Sequence, residues 1–175
     1  MRTYVLSVIS ILALQGCSSA GTTNVEYIDF RKSVEVQRSV DVVWGDVLEW
    51  ATINGFPVTK TDKSASVIGI SGSGIAKNDD IGGVYAGGVT TDEAFVSCGD
   101  ATGNIGLYKA KFVDMNISVN VFMRALGEST TVSINLLGNA TVEVRNGYGV
   151  QSRTGNTCPS RGVFEGMLFK YLEAL

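Results

Sequence analysis

The longest regular pattern in the chain lies between residues 113 and 145. Val113, Met115, Ile117, Val119, Val121 and Met123 alternate with Asp114, Asn116, Ser118 and Asn120; the parity then switches, and Val132, Ile134, Leu136, Ala140, Val142 and Val144 fall at even numbers. A period of two puts alternate side chains on one face of a strand. Because a slip of one residue turns every side chain over, two antiparallel strands share an apolar face here only if paired numbers add to an odd total. A total of 255 leaves Leu126-Gly127-Glu128-Ser129 as a four-residue turn. It sets Val121 opposite Ile134, Val119 opposite Leu136, Ile117 opposite Gly138 and Met115 opposite Ala140. The small partners leave a dip in the face that a helix could cross closely.

Two stretches carry helical spacing. Val40, Val43, Trp44, Val47, Leu48 and Ala51 follow a possible Ser39 cap, with Asp41 in the first turn and Asn54-Gly55 as a stop, which predicts a helix over 40–53. Phe164, Met167, Leu168, Tyr171, Leu172 and Leu175 form a second stripe after Cys158-Pro159, with Ser160 or Gly162 as cap. This short C-terminal helix needs tertiary packing and is the one expected to fill the dip. Strands are expected at 33–38, 56–61 and 66–71, with Asp62-Lys63-Ser64-Ala65 turning between the last two. Ten of the 21 glycines lie between Gly69 and Gly106, a region read as irregular except for a short strand at 94–97 ending at Cys98. The expected fold is α+β: an antiparallel sheet with a long C-terminal hairpin, and one N-terminal and one C-terminal helix packed on one face.

The N-terminus follows a different logic. Arg2 precedes an apolar run from Tyr4 to Leu14, the layout of an export signal and too short for a permanent membrane span. Leu14-Gln15-Gly16-Cys17 resembles the lipobox of bacterial lipoproteins, with an apolar residue three before the cysteine and a small one directly before it. The resemblance implies diacylglycerol on the Cys17 thiol, cleavage after residue 16 and N-acylation of the new terminus. Ser18 follows the cysteine, where an Asp would suggest inner-membrane retention, so the outer membrane, facing the periplasm, is the expected location. The division is then a signal peptide over 1–16, a lipidated tether over 17–24 and a single domain over 25–175. Seven extended residues from Ser18 to Asn24 reach only about 25 Å, which keeps the domain near the membrane.

Removing sixteen residues from 175 leaves 159, enough for one substantial core. Arg2 is the only charge removed, so the formal charge goes from −3 to −4. No Lys/Arg cluster appears along the sequence, and neither nucleic acid nor an anionic lipid surface is an obvious partner for this balance. With Cys17 assigned to lipid, Cys98 and Cys158 remain, and export to an oxidising compartment points to a disulfide between them. Two separate buried thiols are the alternative.

The absence of histidine removes the commonest general base and metal ligand together, and no Ser-x-x-Lys or nucleophile-elbow signature appears. No catalytic residue, metal or cofactor is expected. Gly69-Ile70-Ser71-Gly72-Ser73-Gly74 lacks the Lys-Ser/Thr of a phosphate-binding loop and reads as a flexible loop. Asp79, Asp80, Asp92, Glu93 and Asp100 have no calcium-loop spacing and read as solvated carboxylates. Trp44 follows the first helix's stripe and reads as core; Trp50 reads as partial core or a partner contact, and Tyr85, Phe95 and Tyr148 are weaker recognition candidates.

The order of elements, with Val43-Trp44 on a Ser-capped helix, Asn54-Gly55-Phe56, Cys98-Gly99, a long hairpin, Cys158 and a closing helix, resembles compact periplasmic lipoproteins with a BamC-like helix-grip arrangement. The resemblance covers roughly residues 25–175 and implies an antiparallel sheet holding helices and a non-catalytic role in envelope assembly or structure. The functional expectation is a membrane-anchored interaction or accessory module of a cell-envelope complex, with an envelope protein as partner. The alternative is a binding protein for a lipid or small apolar ligand seated between the sheet and the C-terminal helix.

Overall fold

The computed structural model describes residues 21–23, 25–74, 95–102, 109–146 and 148–175. Residues 1–16, expected to be a signal peptide, Cys17, Tyr85, Asp79, Asp80, Asp92, Glu93 and the interior of the glycine-rich region lie outside the described residues. The elements run β1 (Gly21–Thr23), β2 (Ser33–Val36), α1 (Val40–Ile53), β3 (Val58–Asp62), β4 (Val67–Gly74), β5 (Asp100–Thr102), β6 (Lys109–Leu126), β7 (Ser129–Asn146), β8 (Gly149–Pro159) and α2 (Val163–Ala174). All strand pairs are antiparallel, in one six-stranded sheet of order β2-β7-β6-β4-β3 with β8 also on β7, and a separate β1-β5 pair.

The β6–β7 hairpin has the register that its alternation requires: Val121 pairs with Ile134, Val119 with Leu136, Ile117 with Gly138 and Met115 with Ala140. The turn is tighter than expected. Leu126 and Ser129 are themselves paired, which leaves Gly127-Glu128 as a two-residue loop, with Gly127 at φ 65° where a Cβ would be disfavoured. At the far end the register shifts between Phe112 and Asp114, so Phe112 faces Val142 and Ala110 faces Val144. Val113 is the extra residue of this bulge, and the inward parity of β6 changes from odd to even there.

Both helices cover the face built from odd positions of β6 and even positions of β7. Val43, Val47, Trp50 and Ala51 of α1 and Phe164, Leu168, Phe169 and Leu172 of α2 join Met115, Ile117, Val119, Val121, Val132 and Ile134 in one core. Trp50 is core, stacked on Phe56 at 5.2 Å and edge-on to Phe164 at 5.2 Å, and Phe95 completes this aromatic group rather than lying exposed on a loop. Helix α1 spans the expected residues with Ser39 at its N-cap, yet the Ser39 side chain makes no capping hydrogen bond. Asp62 fixes the β3–β4 turn: its Oδ1 accepts from the Ser64 hydroxyl at 2.8 Å and the Ala65 N–H at 3.0 Å, and these bonds hold its carboxyl below the ordinary range.

Several expectations are corrected. The strand expected over 33–38 ends at Val36, and that expected over 56–61 runs from Val58 to Asp62. Gly69 to Gly74 is not a loop but the last six residues of β4, paired with Met115 to Asn120 of β6, with Gly69 closely approached by Lys60 of β3. Of the short strand expected at 94–97, the described residues 95–97 form only a single bridge, from Val96 to Ser160. Within the stretch 17–24 expected to be a tether, Gly21 to Thr23 form β1 and pair with Asp100 to Thr102. The dip at Gly138 is filled by Val96, not by a helix: a Cβ on Gly138 would lie 2.8 Å from Val96 Cγ1. Finally, β8 was not expected at all, since its inward positions Ser152, Thr154 and Asn156 are polar and hide its period.

Candidate functional site

Strand β7 has β6 along one side for its whole length, but its other side is shared. β2 pairs with Thr130 to Ser133 and β8 with Leu137 to Asn146, so Ile134, Asn135 and Leu136 face no strand there. The Ile134 N–H donates to the Lys32 carbonyl at 3.1 Å, beyond the end of β2. Backbone groups alternate in direction along a strand, so the N–H and C=O of Leu136 are also turned toward this gap.

A groove of about 290 Å³ occupies the gap. Its floor is Ile134 to Leu137, one wall is the segment Tyr27, Ile28, Phe30 and Lys32, and the opposite wall is Pro159, Ser160 and Glu165 at the start of α2. The first wall is held from three sides. The Glu26 N–H donates to Ser97 Oγ at 2.9 Å; Arg31 pairs with Glu173 at 2.8 Å and lies over the Phe169 ring at 5.2 Å; Phe30 packs so closely on Gly162 that a Cβ there would meet its ring carbon at 2.5 Å. Gly162, the α2 N-cap, also has φ 80°, so both its backbone and its neighbour demand glycine. Tyr27 stands 81% exposed on the rim, and Leu137 is also exposed.

Glu165 gives the second wall its chemistry. It is buried, accepts a hydrogen bond from the Ser160 hydroxyl at 2.9 Å, and burial raises its carboxyl above the ordinary glutamate range, partly offset by its own backbone N–H, by Ser160 and by the nearby charge of Lys32. Ser160 Oγ in turn accepts from the Gly162 N–H at 3.0 Å, so this pair caps α2 in place of a side chain at residue 162. The stripe reading of the helix placed Phe164 and Leu168 correctly in the core but passed over Glu165, which lies between them; only the Ser160 five residues earlier hinted at a partner.

Cys98 and Cys158 are joined in a disulfide with Cα atoms 4.6 Å apart. Cys158 sits opposite Gly138, and the same segment brings the Ser97 N–H to the Pro159 carbonyl at 2.9 Å. The groove wall at Pro159-Ser160 is therefore fixed from behind by the Val96-Cys98 segment. Between the sheet and α2, the apolar-ligand space considered above is taken up by Phe164, Leu168 and Leu172. Among the described residues no group of three His, Cys, Asp or Glu is placed to hold a metal, and no helix is long and apolar enough to cross a membrane.

A second polar cluster lies on the opposite face of the sheet. Glu143 is fully covered by Arg145, two residues on, and by Arg153, directly opposite on β8, whose Nε and Nη2 each lie 2.7 Å from Oε2. The Arg145 hydrogen bond, then that of Arg153, hold the Glu143 carboxyl below its ordinary range despite its desolvation. Tyr148, in the adjoining β7–β8 turn, is 99% exposed. Comparison with protein-family models and with curated proteins gives no match.

Proposed function

We propose that this protein is a bacterial lipoprotein, anchored through lipid on Cys17 in the outer membrane and facing the periplasm, whose domain is a non-catalytic interaction module of a cell-envelope complex. The groove at Ile134 to Leu136 is its docking site, and the partner is an envelope protein that offers an extended apolar segment. One observation carries this reading: the interruption of strand pairing along β7, with apolar floor residues beside a backbone N–H and C=O turned outward. Edges of this kind accept an added strand, in which backbone hydrogen bonds supply affinity and alternate side chains fill pockets. Three residues limit the strand to a few hydrogen bonds of about 1 kcal/mol each, so side chains against Tyr27, Phe30 and Leu137 must contribute the rest. Kinship with BamC-like helix-grip lipoproteins, proposed on the same footing, calls for a sheet that grips its helices and for a role of this kind.

The test is site-specific photo-crosslinking in cells. A photoreactive residue in place of Tyr27 or Leu137, on the groove rim, is expected to give one protein adduct whose crosslinked peptide is apolar and extended. The same residue in place of the exposed Ile53, on α1, is expected to give none. Equal adducts from all three positions, or none from any, refute the docking site. Cys17→Ser is expected to remove the acyl mass and the membrane fractionation; a variant that still partitions with membranes refutes the anchor.

A further inference from the structure

The sheet face turned away from the helices carries an ordered, uncharged array of side chains. Asn120 lies opposite Asn135 and Asn116 opposite Asn139, with Leu137 in the row between the two pairs and Phe122 in the row beyond Asn120. Asn120 is half-buried and the other five are exposed. Their neighbours in the same rows are small or uncharged, from Gly69 beside Asn120 on β4 to Thr157 beside Asn139 on β8. Among the described residues no charged side chain enters these rows on β4, β6, β7 or β8. Arg124 and Asp114 close the field at its two ends, and Lys60 and Asp62 border it on the edge strand β3.

The four amides are unspent. Among the described residues they make no hydrogen bond, whereas the Asn54 and Asn156 amides donate to the Trp50 and Thr154 carbonyls at 2.8 and 3.1 Å. Each free amide keeps two N–H donors and an acceptor oxygen. Asparagine is depleted in strands, so strand propensity does not account for four on one face. Charge and hydrogen bonding decide what such a face fits. An anionic polymer finds no cation within the rows to pair with. A second copy laid sheet to sheet would bury every amide, and each donor or acceptor left unmet costs more than a good bond returns. A neutral sugar chain instead offers hydroxyl groups and apolar C–H surface at each unit. Apolar and amide rows alternate here every two residues, about 6.8 Å along the strands: Phe122, the Asn120–Asn135 pair, Leu137, the Asn116–Asn139 pair. Acetamido groups suit the amide rows best, since each amide both donates to and accepts from another.

We infer that this face binds a glycan strand of N-acetylated hexosamines, and that in the cell the strand belongs to the cell wall. The cellular source rests on the lipoprotein reading; the binding itself does not require the lipid. The site is distinct from the docking groove. Asn135 and Leu137 border both, but Asn116, Asn120 and Asn139 are not among the groove's lining residues. A shallow face of this kind holds a short oligosaccharide weakly, with a Kd on the order of 1 mM. A polymer that reaches several domains is held more firmly by repeated contact.

The test titrates the full chain, isotope-labelled and held in detergent micelles, with the tetramer of N-acetylglucosamine, and follows the asparagine side-chain amide signals by NMR. Saturable shifts are expected at Asn116, Asn120, Asn135 and Asn139, with Asn54 and Asn156 unmoved. They should persist in about 0.5 M salt, because no ion pair is involved. Asn116→Ala with Asn120→Ala, both clear of the groove, should weaken binding about tenfold or more. Glu49→Ala with Lys170→Ala, exposed polar sites on the two helices, should not. The two asparagines bond nothing within the described fold, so unchanged backbone signals from the core will show that their variant folds. A glucose tetramer, which lacks acetamido groups, should bind about fivefold more weakly or worse; equal binding overturns the assignment to N-acetylated sugars. No saturable shift at the four asparagines, or shifts that track protein concentration without sugar and so mark self-association, overturns the site. Purified cell-wall sacculi should sediment the wild-type chain and leave the double asparagine variant in solution; equal behaviour of the two overturns the cell wall as source. A failed titration leaves the lipoprotein reading intact, and a Cys17 found unmodified by mass spectrometry sinks that reading without altering the titration.

Discussion

Gly138→Ala puts a single methyl group into the tightest contact of the sheet face. The new Cβ would lie 2.8 Å from Val96 Cγ1 and 3.0 Å from its Cβ and Cγ2, where ordinary contacts begin at 3.4 Å. Val96 cannot retreat easily. It bridges Ser160, the next residue's N–H is bonded to Pro159, and two residues on Cys98 is tied to Cys158, itself opposite Gly138. Overpacking of this kind costs about 1–3 kcal/mol, while replacing glycine inside a strand returns roughly 0.5–1 kcal/mol of backbone entropy. The net expectation is a loss of about 1–2 kcal/mol. Val96→Ala alone removes two buried methyl groups and costs about 2 kcal/mol. In the double variant the alanine methyl occupies space that Val96 has vacated, so the two losses should fall short of their sum by about 1 kcal/mol or more. Urea unfolding of the oxidised protein, with midpoints compared at constant slope, measures all four corners of the cycle. A neutral Gly138→Ala, or strictly additive losses, refutes the seating of Val96 on Gly138.

Removing the disulfide by Cys98→Ser with Cys158→Ser, which opens a loop of 60 residues, should lower stability by about 4 kcal/mol on the chain-entropy model, read from the urea midpoint of wild type and variant. Glu165 is raised above its unfolded value by burial, so its stabilising contribution is complete in acid and is lost as pH rises through the folded pKa. Glu165→Gln should therefore gain in melting temperature relative to wild type between about pH 4 and 7; a difference that is flat with pH defeats the assignment. Glu143 has the opposite sign. Arg145 and Arg153 lower it from 4.5, so its contribution is present above that value and is lost as pH falls through the folded pKa. Glu143→Gln should be less stable than wild type at neutral pH, and the gap should close on acidification below about pH 4.5, as thermal melts across that range would record.

The hairpin was legible because its apolar positions alternate strictly and switch parity once, and these two facts admit few registers. The bulge at its far end had a signal that went unread. Phe112 and Val113 are adjacent apolar residues, and the core-facing parity is even at Ala110 and odd from Met115 on, as an inserted residue demands. β8 had no such signal, because it is specified by pairing with the edge of β7 while Ser152, Thr154 and Asn156 occupy its inward positions. The groove was invisible for a related reason: Ile134 to Leu136 look like any stretch of strand, and only the ends of β2 and β8 leave them uncovered.

The disulfide ties these features to the compartment in which the protein is proposed to act. Cys158 is the last inward position of β8; one residue on, Pro159 and Ser160 become a wall of the groove, and Ser160 bonds the buried Glu165 that opens α2. On the other side of the bond, Cys98 leads into β5, against which β1 pairs. The bond is thus a junction between the segment that pairs with β1 and the wall of the proposed docking groove. A thiol pair in a reducing compartment would leave Val96 held on Gly138 by packing and two backbone contacts alone. On the proposed reading, oxidation after export does more than close a long loop: it ties the Pro159-Ser160 wall to the segment carrying Val96 and Cys98, beside the groove in which an added strand is proposed to dock.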